Sequence, residues 1–141
     1  MKNKNSVIIL TAMSVLLLGF SATARASNKL FSSIQQICSA YQVNMNSADM
    51  NLVTHPDGSK ELTINVESGR NNFDRIMLIA FYAAGKAMKY HQESIDQVTI
   101  VVSMEYKGSS SVYATATMDD IVKYIDGSCS SSDFVRKLKF S

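Results

Sequence analysis

The longest helical pattern of this chain lies at residues 72–91, which read NFDRIMLIAFYAAGKAMKYH. Apolar side chains recur here every three to four positions in two adjacent rows, and every residue from Ile76 to Ala84 is apolar or aromatic. This wide apolar arc predicts a central helix that other elements cover on more than one side. The run is too short to cross a bilayer, which needs about 20 apolar residues. We expect Gly85, which weakens helix propensity, to let a neighbouring element approach closely.

Two predicted β-hairpins flank this helix. Before it, segments 50–55 and 60–67 are joined at 56–59 by Pro-Asp-Gly-Ser, residue types that favour a tight turn. After it, segments 98–106 and 112–117 are joined by a loop that contains glycine and serine. Apolar and polar residues alternate most clearly in 60–67 and 98–106, as expected of strands with one buried face.

Three further amphipathic helices are predicted. One covers residues 28–43, a second is capped by Thr117 and stopped by Gly127, and a short third follows Ser130. The element order is then α-β-β-α-β-β-α-α. The simplest packing is an α+β two-layer sandwich, in which one four-stranded, mostly antiparallel sheet carries the helices on one face.

Residues 1–26 have the features of a secretory signal peptide. Two lysines precede an apolar stretch that extends to Phe20, and the small residues that follow allow cleavage after Ala24 or Ala26. An uncleaved membrane anchor is the alternative, but the apolar stretch is short. We therefore expect one domain at 27–141, periplasmic or secreted, with no stable membrane anchor after cleavage.

The charge of the predicted exported domain is close to neutral. Of the 14 Lys and Arg residues, three lie within the predicted signal peptide, so 11 remain against 12 acidic residues. A nucleic-acid-binding domain normally carries a concentrated basic surface. The composition therefore favours no nucleic acid as a partner.

Two cysteines, Cys38 and Cys129, remain after the predicted cleavage. An isolated pair in an exported protein is most simply a disulfide, which would close most of the domain into one loop. The alternative is a redox or nucleophilic thiol. No Cys-x-x-Cys motif and no neighbouring base supports that alternative.

No catalytic motif is present in the sequence, and we expect no cofactor and no metal. His55 beside a turn and His91 at a helix end are the two histidines, and neither has a metal-binding spacing. Asp119 and Asp120 form a carboxylate pair that helix capping explains. A small periplasmic hydrolase that combines one histidine with an aspartate remains the alternative function.

Two further groups of residues are candidates for binding. Arg70 and Arg75 flank the start of the central helix, where they either bind an anion together with the helix amides or form ordinary surface ion pairs. Val101 and Tyr113 lie on the sheet face opposite the helices, where a plain solvated surface is the alternative. We expect Tyr113 and Val101 to anchor another protein, since tyrosine is frequent at interface hot spots.

These features together predict a non-enzymatic binding protein of the bacterial envelope. Its size, export signal and cysteine pair are typical of accessory, inhibitor and immunity proteins. Its partner is then another envelope or secreted protein.

Overall fold

A computed structural model of the chain describes residues 27–105 and 109–141, so the predicted signal peptide at 1–26 lies outside the described residues. The helices are α1 (27–40), α2 (Phe73–His91), α3 (Met118–Ile125) and α4 (Ser131–Lys137). The strands are β1 (Met50–Thr54), β2 (Lys60–Ser68), β3 (Gln97–Glu105), β4 (Ser109–Thr117) and β5 (Lys139–Phe140), and a 3₁₀ turn at Ser47–Asp49 precedes β1. This order confirms the α+β class.

The sheet differs from the predicted one in two respects. In the described residues it has five strands in the order β1-β2-β3-β4-β5, and it is mixed, because β2 and β3 are parallel while the other pairs are antiparallel. The parallel pair arises because α2 carries the chain from the end of β2 back to the end where β2 began. The additional strand, β5, pairs with β4 at Ala114↔Phe140 and Thr115↔Lys139, where the sequence predicted the last turns of a helix.

The core lies between α2 and one face of the sheet. Leu62, Ile64 and Ile100 on this face are fully buried, as is Phe81 of α2, whose ring meets Phe134 of α4 edge to face at 5.3 Å between centroids. The other sides of α2 contact α1 and α3, which confirms that several elements cover the apolar helix. In residues 27–105 and 109–141, none of the helices combines the length and the apolar character that a membrane span requires.

Gly85 is the point of closest approach between α2 and α3. A Cβ atom at this position would lie 2.6 Å from Cγ2 of Ile121 and 3.0 Å from Cγ2 of Ile125. This confirms the expected close approach. The start of α3 is also as predicted, because the hydroxyl of Thr117 accepts a hydrogen bond from the backbone N–H of Asp120 at 3.3 Å.

The structure does not contain the expected Cys38–Cys129 disulfide, since both cysteines are free. A disulfide needs Cα atoms within about 7 Å and side chains directed at each other. Cys38 is instead packed into the core with no exposed surface, and burial raises the pKa of its thiol to about 12. Cys129 follows α3, is only partly buried, and directs its Sγ to the carbonyl oxygen of Ser130 at 3.4 Å.

Gly85→Ala should destabilise the fold by up to about 2 kcal/mol in urea unfolding. The added methyl group overpacks the α2–α3 contact at a cost of roughly 1–3 kcal/mol, and a gain of about 1 kcal/mol in helix propensity offsets part of this cost. Gly69→Ala is the matched control, because nothing lies within 4 Å of its Cβ position. Equal stability of the two variants would contradict the proposed packing.

Iodoacetamide at pH 8 should modify Cys129 of the folded protein and leave Cys38 unmodified, because the buried thiol forms almost no thiolate. Unfolding in urea without a reducing agent should expose a second reactive thiol. Mass spectrometry counts the adducts. Absence of both adducts in the unfolded, unreduced chain would demonstrate a disulfide and contradict the structure.

Candidate functional site on the uncovered sheet face

The sheet has a second face, which we call the open face, and none of the described helices packs on it. Alternation along β1 to β4 assigns fourteen residues with described side chains to this face. They are Asn51, Val53, Glu61, Thr63, Asn65, Glu67, Gln97, Thr99, Val101, Ser103, Ser111, Tyr113, Thr115 and Thr117. Most of these side chains are hydroxyls, amides or carboxylates, so the face is compatible with contact to water or to a polar protein surface.

Tyr113 and Val101 are direct neighbours across β3 and β4, as the register Val101↔Tyr113 shows. Tyr113 is 45% exposed, so its ring is available to a partner. Val101 is only 6% exposed, because it lies on the central strand between occupied positions on β2 and β4. Of the two predicted anchors, Tyr113 therefore offers most of the contact area, and Val101 lies beneath the surface.

A chain of hydrogen bonds crosses the open face from β1 to β4. Nε2 of His55 lies 2.9 Å from Oε2 of Glu61, and the hydroxyl of Thr99 donates to Oε1 of the same carboxylate at 2.7 Å. The hydroxyl of Thr115 lies 2.7 Å from that of Thr99 and completes the chain. Three strand residues, Glu61, Thr99 and Thr115, and His55 of the turn after β1 are thus held by polar contacts, which fixes their side chains.

The carboxylate of Glu61 is the centre of this network. Partial burial would raise its pKa, but hydrogen bonds from Thr99, His55 and Gln97 outweigh burial and hold the pKa below its ordinary value. Glu61 is therefore ionised at neutral pH. An ionised carboxylate accepts these bonds more strongly than a neutral acid would, so the network is stable at neutral pH.

The order of groups in the network differs from that of a Ser-His-Asp catalytic triad. In a catalytic triad the histidine lies between a hydroxyl and a carboxylate, so that it can take the hydroxyl proton. Here the carboxylate of Glu61 lies between His55 and Thr99, and the hydroxyl donates to the carboxylate. His91 contacts a hydroxyl but lacks the carboxylate of a triad. Its Nε2 lies 2.7 Å from the hydroxyl of Ser33, and it has no carboxylate partner in the described chain.

The remaining candidates have local structural roles. The guanidinium of Arg75 donates to the carbonyl oxygen of Tyr41 at 3.0 Å and so holds the end of α1, and Arg70 lies exposed in the preceding turn. Asp119 and Asp120 are paired with Lys123 and Lys137, respectively, at 2.6 and 3.3 Å. Within residues 27–105 and 109–141, no cluster of three or more His, Cys, Asp or Glu side chains is arranged to hold a metal ion.

Sequence reasoning did not identify Glu61 and Thr99 as part of a site. One signal was present, because Glu61 and His55 lie on either side of a predicted tight turn, at positions that a hairpin brings together. The contact between Glu61 and Thr99 depends on the parallel pairing of β2 with β3, which the sequence left open.

Comparisons with protein-family models, curated proteins and solved structures find no match to this chain. The geometry alone therefore characterises it, as a small α+β domain with helices on one face of a mixed sheet and a preorganised polar surface on the other.

Thr99→Val should lower the free energy of unfolding by about 1–2 kcal/mol at pH 7, because it removes the hydroxyl that joins Glu61 to Thr115. The folded-state pKa of Glu61 is depressed. The contribution of ionised Glu61 to the free energy of unfolding is therefore present above the unfolded-state pKa and is lost as the pH falls through the folded-state pKa. The effect of the substitution should accordingly be smaller at pH 3, as measured by urea unfolding at both pH values.

Thr63→Val is the matched control, because Thr63 is the direct neighbour of Thr99 on β2 and its side chain makes no hydrogen bond within the described ranges. Its effect should be small and independent of pH. A pH-independent loss in Thr99→Val, or the same loss in both variants, would contradict the role assigned to the network.

Proposed function

We propose that this chain is an exported, non-enzymatic binding protein of the bacterial envelope, periplasmic or secreted, and that its open face contacts another envelope or secreted protein. The signal-peptide features of residues 1–26 support export. An accessory, inhibitor or immunity role fits a domain that works by binding alone.

One observation carries this proposal: a half-exposed aromatic ring stands on a rigid, hydrogen-bonded sheet face. Tyr113 is 45% exposed beside the His55–Glu61–Thr99 network. A tyrosine buries a large area when it is covered, and its hydroxyl gains a hydrogen-bond partner. Because β3 and β4 fix its backbone on the sheet, binding would order few additional side chains, which lowers the entropic cost of association.

The alternative is a small hydrolase, and the His55–Glu61 contact at 2.9 Å is the observation that favours it. A histidine paired with a carboxylate is a common general base. The hydroxyl nearest to this pair, that of Thr99, donates to the carboxylate and gains no basic partner. The hydrolase alternative would require ester or amide hydrolysis by the purified chain that disappears in His55→Ala.

Tyr113→Ala should weaken capture of the envelope partner at least about fivefold, which corresponds to a loss of 1 kcal/mol or more at an interface hot spot. The chain is immobilised, exposed to envelope extract, and the retained proteins are identified by mass spectrometry. Affinity for the identified partner is then measured with both purified proteins.

Tyr90→Ala is the matched control for this experiment. Tyr90 lies at the end of α2 on the helical layer and is 81% exposed, so its removal takes away more exposed tyrosine surface than Tyr113→Ala does, without touching the open face. The proposal predicts full binding by Tyr90→Ala. Unchanged affinity of Tyr113→Ala, with its fold verified by circular dichroism, would refute the open face as the binding surface.

A further inference from the structure

Strand β2 is longer than the strand beside it. Pairing between β1 and β2 ends at Met50↔Ile64, whereas β2 continues to Ser68 and remains paired with β3 as far as Ser68↔Met104. Residues 65–68 therefore have a strand neighbour on the β3 side only, among the residues that the structure describes. An unpaired strand edge is a template to which another extended chain can bond.

The hydrogen bonds of Lys60 and Ser59 establish the direction in which each backbone group of β2 points. Both the N–H and the carbonyl oxygen of Lys60 bond to Asp96, directly before β3, at 2.7 and 2.9 Å. Ser59 points the other way, since its carbonyl oxygen accepts from the N–H of His55 at 2.8 Å.

The N–H and carbonyl groups of successive residues in a strand point to alternate sides of that strand. The N–H and carbonyl groups of Asn65 and Glu67 are therefore directed away from β3. At Asn65 this side is occupied by Asp49, which lies opposite it at the end of the β1–β2 ladder and whose carbonyl oxygen also accepts from Nδ2 of Asn65 at 3.2 Å. Glu67 is thus the residue that presents its backbone groups to the unpaired edge.

A groove of about 860 Å³ lies against this edge. Its walls are the polar side of α1 and the loop at 43–46, and its base includes residues 65–67 of β2. The volume is within the range of about 300–1,000 Å³ that is typical of ligand-binding clefts. The lining is mostly polar, and Val43 and Val66, which each expose 5% or less of their surface, form a small apolar spot within it.

The groove is negatively charged. Among the described residues, its lining contains two carboxylates, Asp49 and Glu67, and no lysine, arginine or histidine. Asp49 is engaged, because its Oδ2 accepts from the backbone N–H of Asn46 at 2.7 Å. Glu67 is exposed, and its carboxylate has no hydrogen bond or ion pair within residues 27–105 and 109–141. A basic side chain in the groove would supply the missing partner.

From this geometry we infer that the groove binds an extended segment of a partner protein, which joins the sheet as an additional strand beside residues 65–68 of β2. The backbone of the segment bonds to the N–H and carbonyl groups of Glu67, beyond the point where Asp49 lies against Asn65. A lysine or arginine of the segment stands directly opposite Glu67 on the open face and pairs with its carboxylate. The residues before and after it point inward, towards Val43 and Val66, and are apolar.

This inference rests on the proposed binding role but depends on residues other than Tyr113. Tyr113→Ala should therefore leave binding of a short segment in the groove unchanged. The two proposals can fail separately, because one predicts loss of affinity in Tyr113→Ala and the other predicts loss in variants of Glu67.

A phage-displayed library of random heptapeptides tests the inference on the immobilised chain. Selection should enrich peptides in which a lysine or arginine lies between two apolar residues. The same selection on Glu67→Lys should lose this enrichment or replace the basic residue by an acidic one. Glu93→Lys is the matched control, because it makes the same change of charge after the end of α2, outside the groove, and should retain the original enrichment.

The most enriched peptide, synthesised and titrated against the purified chain, gives the quantitative result. Glu67→Gln, which preserves the size of the side chain, should weaken its binding about two- to fivefold, as expected for an exposed ion pair. This variant also provides the test if Glu67→Lys proves to be unfolded by circular dichroism. Failure to enrich any peptide, enrichment that does not depend on Glu67, or occupation of the groove by a second copy of this chain would overturn the inference.

Discussion

The structure depends on the packing of α2 against the parallel strands β2 and β3. The helix is apolar on most of its circumference, so it requires the sheet on one side and α1 and α3 on the others. The same helix returns the chain from the end of β2 to the start of β3, which makes these central strands parallel. Gly85 permits the closest of these contacts, where α3 lies directly against the helix backbone.

This arrangement determines which surfaces are left for binding. Because every described helix gathers around α2, the opposite sheet face has no helical cover, and its polar groups bond to each other across the strands. The sheet is also uneven, because β1 pairs with only the first half of β2. A preorganised polar face and an adjoining unpaired strand edge are therefore both consequences of one crossover helix. Each presents fixed donors and acceptors, which favours binding at low entropic cost.

The sequence predicted the features that local pattern controls. The apolar rows of α2, the close approach at Gly85 and the cap at Thr117 all follow from short-range chemistry. The strand order could not be predicted from the sequence, because either edge strand of the first predicted hairpin could pair with the second hairpin. The two-residue strand β5 has no alternating pattern to detect. The burial of Val101 depends on neighbours from two other strands. A disulfide between Cys38 and Cys129 depends on the distance between their Cα atoms, which the sequence does not contain.

Amide hydrogen exchange along β2, measured residue by residue by NMR, tests the central claim most directly. If α2 places β2 parallel to β3 and the pairing of β2 with β1 ends at Ile64, the N–H of Val66 points to β3 and the N–H of Glu67 points to the unpaired edge. Slow exchange is then predicted for Val66 and fast exchange for Glu67. Equally slow exchange of both amides would show that a further strand covers this edge and would contradict the account.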